Sequence, residues 1–290
     1  MPELPEVEHV KRGIEPFAVN TTINKITFSE NVKKGKEDGR ETIIKGMTLE
    51  SFRRLTEGYT INQIERRSKY IVFYINRDAE QRILISHLGM AGGFFVVNHL
   101  EEINVPNYRK HWQVIFELDN GKKLIYSDIR RFGEIRNVSS FDSYPSFLSI
   151  APEPFDEEAL QHFLDCTNKK NYSKKPIKQV ILDHKVISGC GNIYACEALF
   201  RAGILPNRLT QELSNQEKEM VFYHVRSVLN EGIKYGGTSI SDYRHADGKT
   251  GEMQLHLNVY KQKYCKVCGH SIETQVIASR NSHYCPTCKK

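Results

Sequence analysis

Val7, Val10 and Ile14 recur at the spacing of one helical face, and Pro5 ahead of them suits a helix's first turn. The sequence therefore predicts a helix that Pro16 ends. Residues 29–45 are polar and rich in Gly and Lys, which predicts a loop. LESFRRL (49–55) reads as a short helix stopped near Gly58. From there the period falls to two. TINQIERR, KYIVFYI, RILISHL and GGFFVV are β-branched or aromatic runs broken by polar turns. QVIFEL and KKLIYSD flank DNG, and Asn120-Gly121 suits a hairpin turn that needs positive φ. Short strands in succession predict a β-sandwich rather than βαβ units.

The two prolines of APEPF (151–155) forbid regular pairing and mark a linker. Beyond it the period is helical, in DEEALQHFL, IKQVILDHK, GNIYACEALFRAG and SNQEKEMVFYHVRSVLNEGIKYGG. Ser214 and Glu217 form a capping box for the last of these, and Gly236 fits its C-terminal stop. Residues 236–258 are glycine-rich and polar, as a functional loop is. The chain thus reads as α+β in three parts: a β-sandwich with a helix at its start over 1–150, helices over 151–258, and a small module over 259–290.

Charge changes this picture at one end only. The 290 residues carry a net charge of +6. Residues 1–155 hold 22 Lys+Arg against 21 Asp+Glu, residues 156–260 hold 13 against 13, and the last 30 hold 6 against 1. A basic module on a near-neutral body suits a polyanion, of which nucleic acid is the commonest; the plain alternative is a solvated basic tail. No apolar run is long enough to span a membrane, and Glu3, Glu6 and Glu8 stand where a secretion signal would be basic. A bacterial cytoplasmic protein is expected.

The basic module also holds four cysteines. Cys265 and Cys268 form one close pair, Cys285 and Cys288 another, with sixteen residues between the pairs. Four thiolates so spaced can close a tetrahedron around one zinc ion. About 25 residues cannot bury enough apolar surface to fold alone, so the metal supplies folding free energy and is structural. The alternative is two disulfides, which a reducing compartment disfavours. Cys166, Cys190 and Cys196 lie in helical patterns and read as buried small hydrophobes. Arg280, in the turn before the second pair, is placed to fork onto phosphate if the metal clip holds it, and is otherwise solvated.

The chain starts MPELPEVE. Initiator Met is removed ahead of a small second residue, which would leave Pro2 with a free secondary amine. Such an amine can attack an electrophilic sugar carbon and form an iminium. An α-amine titrates near pH 8, well below lysine, so part of it is unprotonated at neutral pH. The positive end of the helix lowers that pKa further, Glu3 opposes it, and Glu3 can move protons to and from the sugar. The plain alternative is a solvated tail with a helix start.

PELPEVE, RRSKYIVF (66–73), HLGM (87–90), DIRRFG (128–133), GNIYACE (191–197) and the terminal four-cysteine finger occur in this order. Together they resemble bacterial formamidopyrimidine-DNA glycosylase over nearly the whole chain. The resemblance implies a bifunctional base-excision repair enzyme whose partner is double-stranded DNA containing oxidised bases. It would excise 8-oxoguanine and formamidopyrimidines, then cut the abasic site by β,δ-elimination. The implied fold is an N-terminal β-sandwich with a leading helix, a helix–two-turn–helix domain with a lesion loop, and a zinc finger. Pro2 would be the Schiff-base nucleophile, Glu3 the proton donor and acceptor, Glu6 the brace of the N-terminal segment, and Lys69 the holder of the phosphate near the lesion. Asn192, Arg280 and His87 would contact phosphates. Met90, Arg130 and Phe132 would fill the gap left by the flipped nucleotide, because unstacking is costly unless side chains replace the lost contacts. By residue type alone, Met90 and Phe132 are core residues, His87 is structural, Lys69 is solvated and Asn192 is a helix N-cap.

Two places depart from the family pattern. Ser241 stands where relatives carry a basic residue, and the connector KQKY is short and lacks glycines, which tethers the finger closely. Two alternatives remain open: an endonuclease VIII-like glycosylase for oxidised pyrimidines, and a non-catalytic zinc-finger protein that binds damaged DNA. A monomer is expected.

Overall fold

Glu3 caps the first helix, α1 (Leu4–Ala18), and Pro5 occupies its first turn, where a missing N–H costs nothing. Leu4, Val7, Val10, Ile14 and Ala18 form a fully buried stripe. Each large apolar side chain so buried contributes roughly 1.5–3 kcal/mol. Pro16 does not end the helix, as the sequence predicts; it lies inside it. It sits exposed in the last turn, where it removes one backbone bond without burying the loss. The computed structural model describes residues 2–239 and 243–288.

The predicted loop over 29–45 contains a second helix, α2 (Glu30–Glu37), which starts where Ser29 Oγ accepts the Val32 N–H and where Val32 is buried. Helix α3 (Leu49–Arg54) is capped in the same way by Thr48. Eight strands follow one another: β1 (Thr21–Phe28), β2 (Thr60–Arg67), β3 (Tyr70–Arg77), β4 (Glu80–His87), β5 (Gly92–Val97), β6 (Trp112–Leu118), β7 (Lys123–Asp128) and β8 (Glu134–Val138). Short helices α4 (Pro106–Lys110) and α5 (Pro145–Leu148) punctuate the set. The strand order is β5-β7-β6-β1-β2-β3-β4-β8, with every pair antiparallel.

Strand β1 makes this one ribbon into two layers. Thr21 and Thr22 pair with β2, whereas Ile23 to Phe28 pair with β6, and an irregularity falls between Ile23 and Lys25. Ile61, Phe73, Leu84 and Ile135 of one half then meet Ile23, Phe94, Phe116 and Leu124 of the other around a shared apolar core. The expected hairpin joins β6 to β7, with Gly121 at φ +81°.

The helical part holds α6 (Ala159–Thr167), α7 (Lys170–Ser173), α8 (Ile177–Ile181), α9 (Asn192–Arg201) and α10 (Asn215–Lys234), then the hairpin β9 (Glu273–Ile277) and β10 (Arg280–Tyr284). Ser214 and Glu217 form the expected capping box. Helix α8 is shorter than IKQVILDHK suggests. Asp183 accepts from the Tyr172 hydroxyl and from the Lys185 N–H, both at 3.0 Å, and this local capture competes with helix. Cys166, Cys190 and Cys196 are buried, as expected.

The chain divides into two compact units: Met1–Leu148 with Gly236–Gly251, and Ser149–Tyr235 with Glu252–Lys290. The glycine-rich segment is thus grouped with the sandwich rather than with the helices that flank it in sequence. Among the described residues no helix is long and apolar enough to cross a membrane.

Candidate functional site

The start of α1 is an enclosed polar knot. Pro2 is buried, and Glu3 and Glu6 are 2% and 1% exposed. The two glutamates cap each other: Glu6 Oε2 accepts the Glu3 N–H at 2.7 Å, and the Glu3 carboxylate accepts the Glu6 N–H. Glu6 Oε1 accepts the Thr238 N–H at 2.7 Å. Gly237, at φ +78°, lies so close that a Cβ there would stand 2.9 Å from Glu6 Oε1. Glu6 therefore ties the N-terminal segment to the glycine run. Further along α1, His9 stacks on His245 at 5.1 Å, and a Cβ on Gly13 would meet the Ala246 Cβ at 2.7 Å. Ser241 lies outside the described residues.

Lys69 follows Ser68, which holds φ +57° although it is not glycine and is 2% exposed. Arg66 fixes this turn. It donates to the Ser68 carbonyl at 3.1 Å and pairs with Glu8 at 2.9 Å. Burial is the largest single effect on the Glu8 carboxyl and raises it, but the Arg66 charge and hydrogen bonds from Arg12 and Arg66 together outweigh burial and hold it below the usual range.

His87 ends β4 with its ring 4.9 Å from that of Tyr70. Burial first, and the neighbouring Lys69 ammonium second, bring its pKa down to about 4. Its Nδ1 accepts the Gly89 N–H at 3.1 Å, which leaves Nε2 as a neutral donor. Because the folded pKa lies below the unfolded value near 6.5, the unfolded chain binds the extra proton between those limits. Stability is therefore expected to be flat above about pH 6.5 and to fall as pH drops toward 4, by up to one proton's linkage. Denaturant titrations of the wild type and His87→Gln should diverge only below pH 6.5. Parallel pH profiles would remove His87 as the cause.

Met90, Arg130 and Phe132 come from two loops that glycines and one carboxylate hold together. A Cβ on Gly89 would stand 2.5 Å from the Gly133 nitrogen, and one on Gly133 would stand 1.8 Å from the Tyr126 hydroxyl. Asp128, fully buried, accepts from the N–H groups of Arg130 at 3.0 Å, Arg131 at 2.9 Å and Gly133 at 2.8 Å. Burial lifts its carboxyl above the ordinary range, and those three N–H groups counter the lift. Phe132 is 62% exposed, so it is not the core residue its type suggests. The Arg130 guanidinium covers its ring at 5.1 Å. Met90 is half-buried.

In the second unit, Asn192 is the first residue of α9, with Gly191 rather than Asn192 at the cap. Its amide is committed on both sides. Oδ1 accepts from Lys178 Nζ at 2.5 Å, and Nδ2 donates to the Asn281 carbonyl at 2.9 Å. Lys178 is fully buried and also donates to Ser282 Oγ at 2.6 Å. It thereby pins the start of α9 to β10, the strand that Arg280 opens. Arg280 is exposed and follows a two-residue turn in which Ala278 and Ser279 both have positive φ, 49° and 59°. Glu197, fully buried, accepts from the N–H groups of Asn258 at 2.8 Å and of Val259 and Tyr260 at 2.9 Å, anchoring the connector to the finger.

The Sγ atoms of Cys265, Cys268, Cys285 and Cys288 all lie within 4.8 Å of one another. A tetrahedral zinc with bonds near 2.3 Å requires sulfurs about 3.8 Å apart. Cys265 and Cys288 stand at 3.8 Å, and Cys268 and Cys285 at 3.4 Å. These are coordination spacings and not disulfide bonds. The four cysteines hold a single structural zinc.

Sequence reading missed Arg66, Asp128, Lys178 and Glu197. Each is a charged residue whose partners arise only on folding, and a charged side chain defaults to the surface. Arg66, Asp128 and Glu197 share one signal, since each lies in a motif that carries the resemblance, whereas Lys178 lies in none.

A family model described as the formamidopyrimidine-DNA glycosylase N-terminal domain matches residues 1–135. The H2TH domain of the same glycosylase matches 150–244, and a zinc finger found in FPG and IleRS matches 263–290. The formamidopyrimidine-DNA glycosylase of Geobacillus kaustophilus is 35% identical over 295 residues, covering 100% of both chains. Among solved structures, a point variant of the Lactococcus lactis Fpg in complex with a Fapy-dG containing DNA matches with TM-score 0.85 at 32% identity, covering 100% of both chains. The wild-type Lactococcus lactis protein in complex with an oxidised pyrimidine containing DNA matches with TM-score 0.83 at 32% identity, again over 100% of both chains.

Proposed function

Since the chain belongs to the formamidopyrimidine-DNA glycosylase family, we propose that it excises oxidised purines from duplex DNA and cuts the resulting abasic site through a Schiff base on Pro2. It is a base-excision repair glycosylase for oxidised bases, and its partner is DNA. The observation that carries the detailed reading is the reciprocal cap between Glu3 and Glu6, which keeps two carboxylates buried beside Pro2.

With Met1 removed, the Pro2 nitrogen is a secondary amine. It attacks the sugar carbon C1′ as the damaged base departs, and the sugar ring then opens: the C1′–O4′ bond breaks, O4′ takes a proton, and the nitrogen lone pair closes the iminium. Glu3 is the buried acid–base group that transfers protons at the sugar. Glu6 is occupied by two backbone N–H groups, so its role is to brace. The iminium acidifies the neighbouring sugar carbon, and elimination of the 3′ and then the 5′ phosphate follows. Lys69 and neutral His87 serve the phosphate beside the lesion. Arg280 and the helix start at Asn192 serve a phosphate in the second unit, with Lys178 keeping the two in register through the Asn192 amide. Met90, Arg130 and Phe132 fill the vacated stack, and the exposed Phe132 ring is ready to insert at a base step. We place the enzyme in the cytoplasm as a monomer.

The test is side-by-side excision of 8-oxoguanine opposite cytosine and of thymine glycol. We expect the purine to be released at least ten-fold faster, with both elimination products formed. Faster release of thymine glycol would favour the pyrimidine branch.

A further inference from the structure

Arg131 departs from its neighbours in the loop. Its φ of +56° lies in the left-handed region that L side chains rarely adopt, and Asp128 holds its N–H at 2.9 Å. Arg130 and Phe132 stack on each other. Arg131 instead lines a cavity of about 350 Å³ with Asn31, Lys34, Arg40, Thr42 and Gln113. The lining is rich in donors. Neither Lys34 nor Arg131 forms a salt bridge among the described residues, whereas Arg40 shares its charge with Asp38. The one acid in the lining, Glu41, is offset by Lys45 at 3.6 Å. Thr42 Oγ1 is a buried hydroxyl with no hydrogen-bond partner. Cations beside an unsatisfied hydroxyl are the chemistry that receives a tetrahedral oxyanion.

We propose that this cavity is a further anion subsite, and that it takes a backbone phosphate of the duplex apart from those serving the lesion. The proposal rests on the reading that Arg130 and Phe132 enter DNA. A duplex engaged by those two residues passes the one residue between them, and this continuity favours a DNA phosphate over a free one. A phosphate contact reads no base, so it strengthens binding to damaged and undamaged duplex alike.

The experiment measures Kd against salt concentration for duplexes with and without a tetrahydrofuran abasic analogue. For Lys34→Ala, the slope of log affinity against log salt should be shallower by about 0.9, with Kd raised by the same factor on both duplexes. Thr42→Val removes only a neutral hydroxyl, so it should raise Kd roughly five-fold and leave the slope unchanged. Thermal melting of each variant checks the fold. A Lys34→Ala slope equal to that of wild type overturns the proposal. So does a cavity that binds inorganic phosphate while Lys34→Ala leaves DNA affinity untouched, which would make it a free-anion site. A wild type that fails to prefer the abasic duplex would instead count against the glycosylase reading, and the slope comparison would still report on the cavity.

Discussion

Glu3→Gln is expected to lower excision of 8-oxoguanine by about 10²- to 10⁴-fold, the range over which a positioned acid–base group acts. Gln keeps an oxygen that can accept the Glu6 N–H, so the cap and the helix start should survive. Its amide cannot donate and recover a proton at the sugar. A preformed abasic site needs no help with base departure, and the Pro2 amine is untouched. Cleavage of such a site should therefore fall far less than excision. Single-turnover rates on the two substrates separate these steps. Equal losses on both would mean that the substitution disturbed Pro2 itself, and no loss on either would remove Glu3 from the chemistry.

Asp128→Ala is expected to destabilise the first unit by about 3 kcal/mol or more. Three backbone N–H groups converge on this one carboxylate, and without it the Gly133 N–H is left buried and unpaired. For a unit of this size the melting temperature should fall by roughly 10 °C. A second consequence is local. Gly89 and Gly133 hold the two loops in close contact, and Asp128 shapes one of them, so Met90, Arg130 and Phe132 lose their common frame. Asp128→Asn should be milder, because one oxygen remains to accept while the new N–H₂ group cannot serve the Gly133 N–H. Thermal scans of both variants check the ranking. A shift under 2 °C for Asp128→Ala would show that water or neighbouring groups replace the carboxylate.

What could be read from sequence was local. The buried stripe of α1, the β6–β7 hairpin, the capping box of α10 and the paired cysteines each declare themselves within a few residues. What escaped was either irregular or distant. The irregularity in β1 breaks its alternation, β8 is only five residues long, and α2 buries only Val32 and Gly35. Helix α2 therefore offered almost no apolar period to detect.

The candidate site divides in the same way. Pro2, Glu3 and the cysteines have chemistry that their own spacing suggests. Glu6 bonds Thr238 across 232 positions and Lys178 bonds Ser282 across 104, separations that no local pattern reports. Residue type misleads at Phe132, which is exposed, and at Lys178, Glu197 and Asp128, which are fully buried. At these positions an apolar ring lies in water and charges lie in the core, the inverse of the usual rule of burial.

We expect the amine of Pro2 to bond to the sugar of damaged DNA. Borohydride reduction during turnover on 8-oxoguanine duplex, followed by proteolysis and mass spectrometry, tests it most directly. One covalent nucleotide adduct is expected, on the peptide that begins at Pro2. An adduct on Lys69 or any other lysine, or undiminished trapping when an extra residue precedes Pro2, would contradict it.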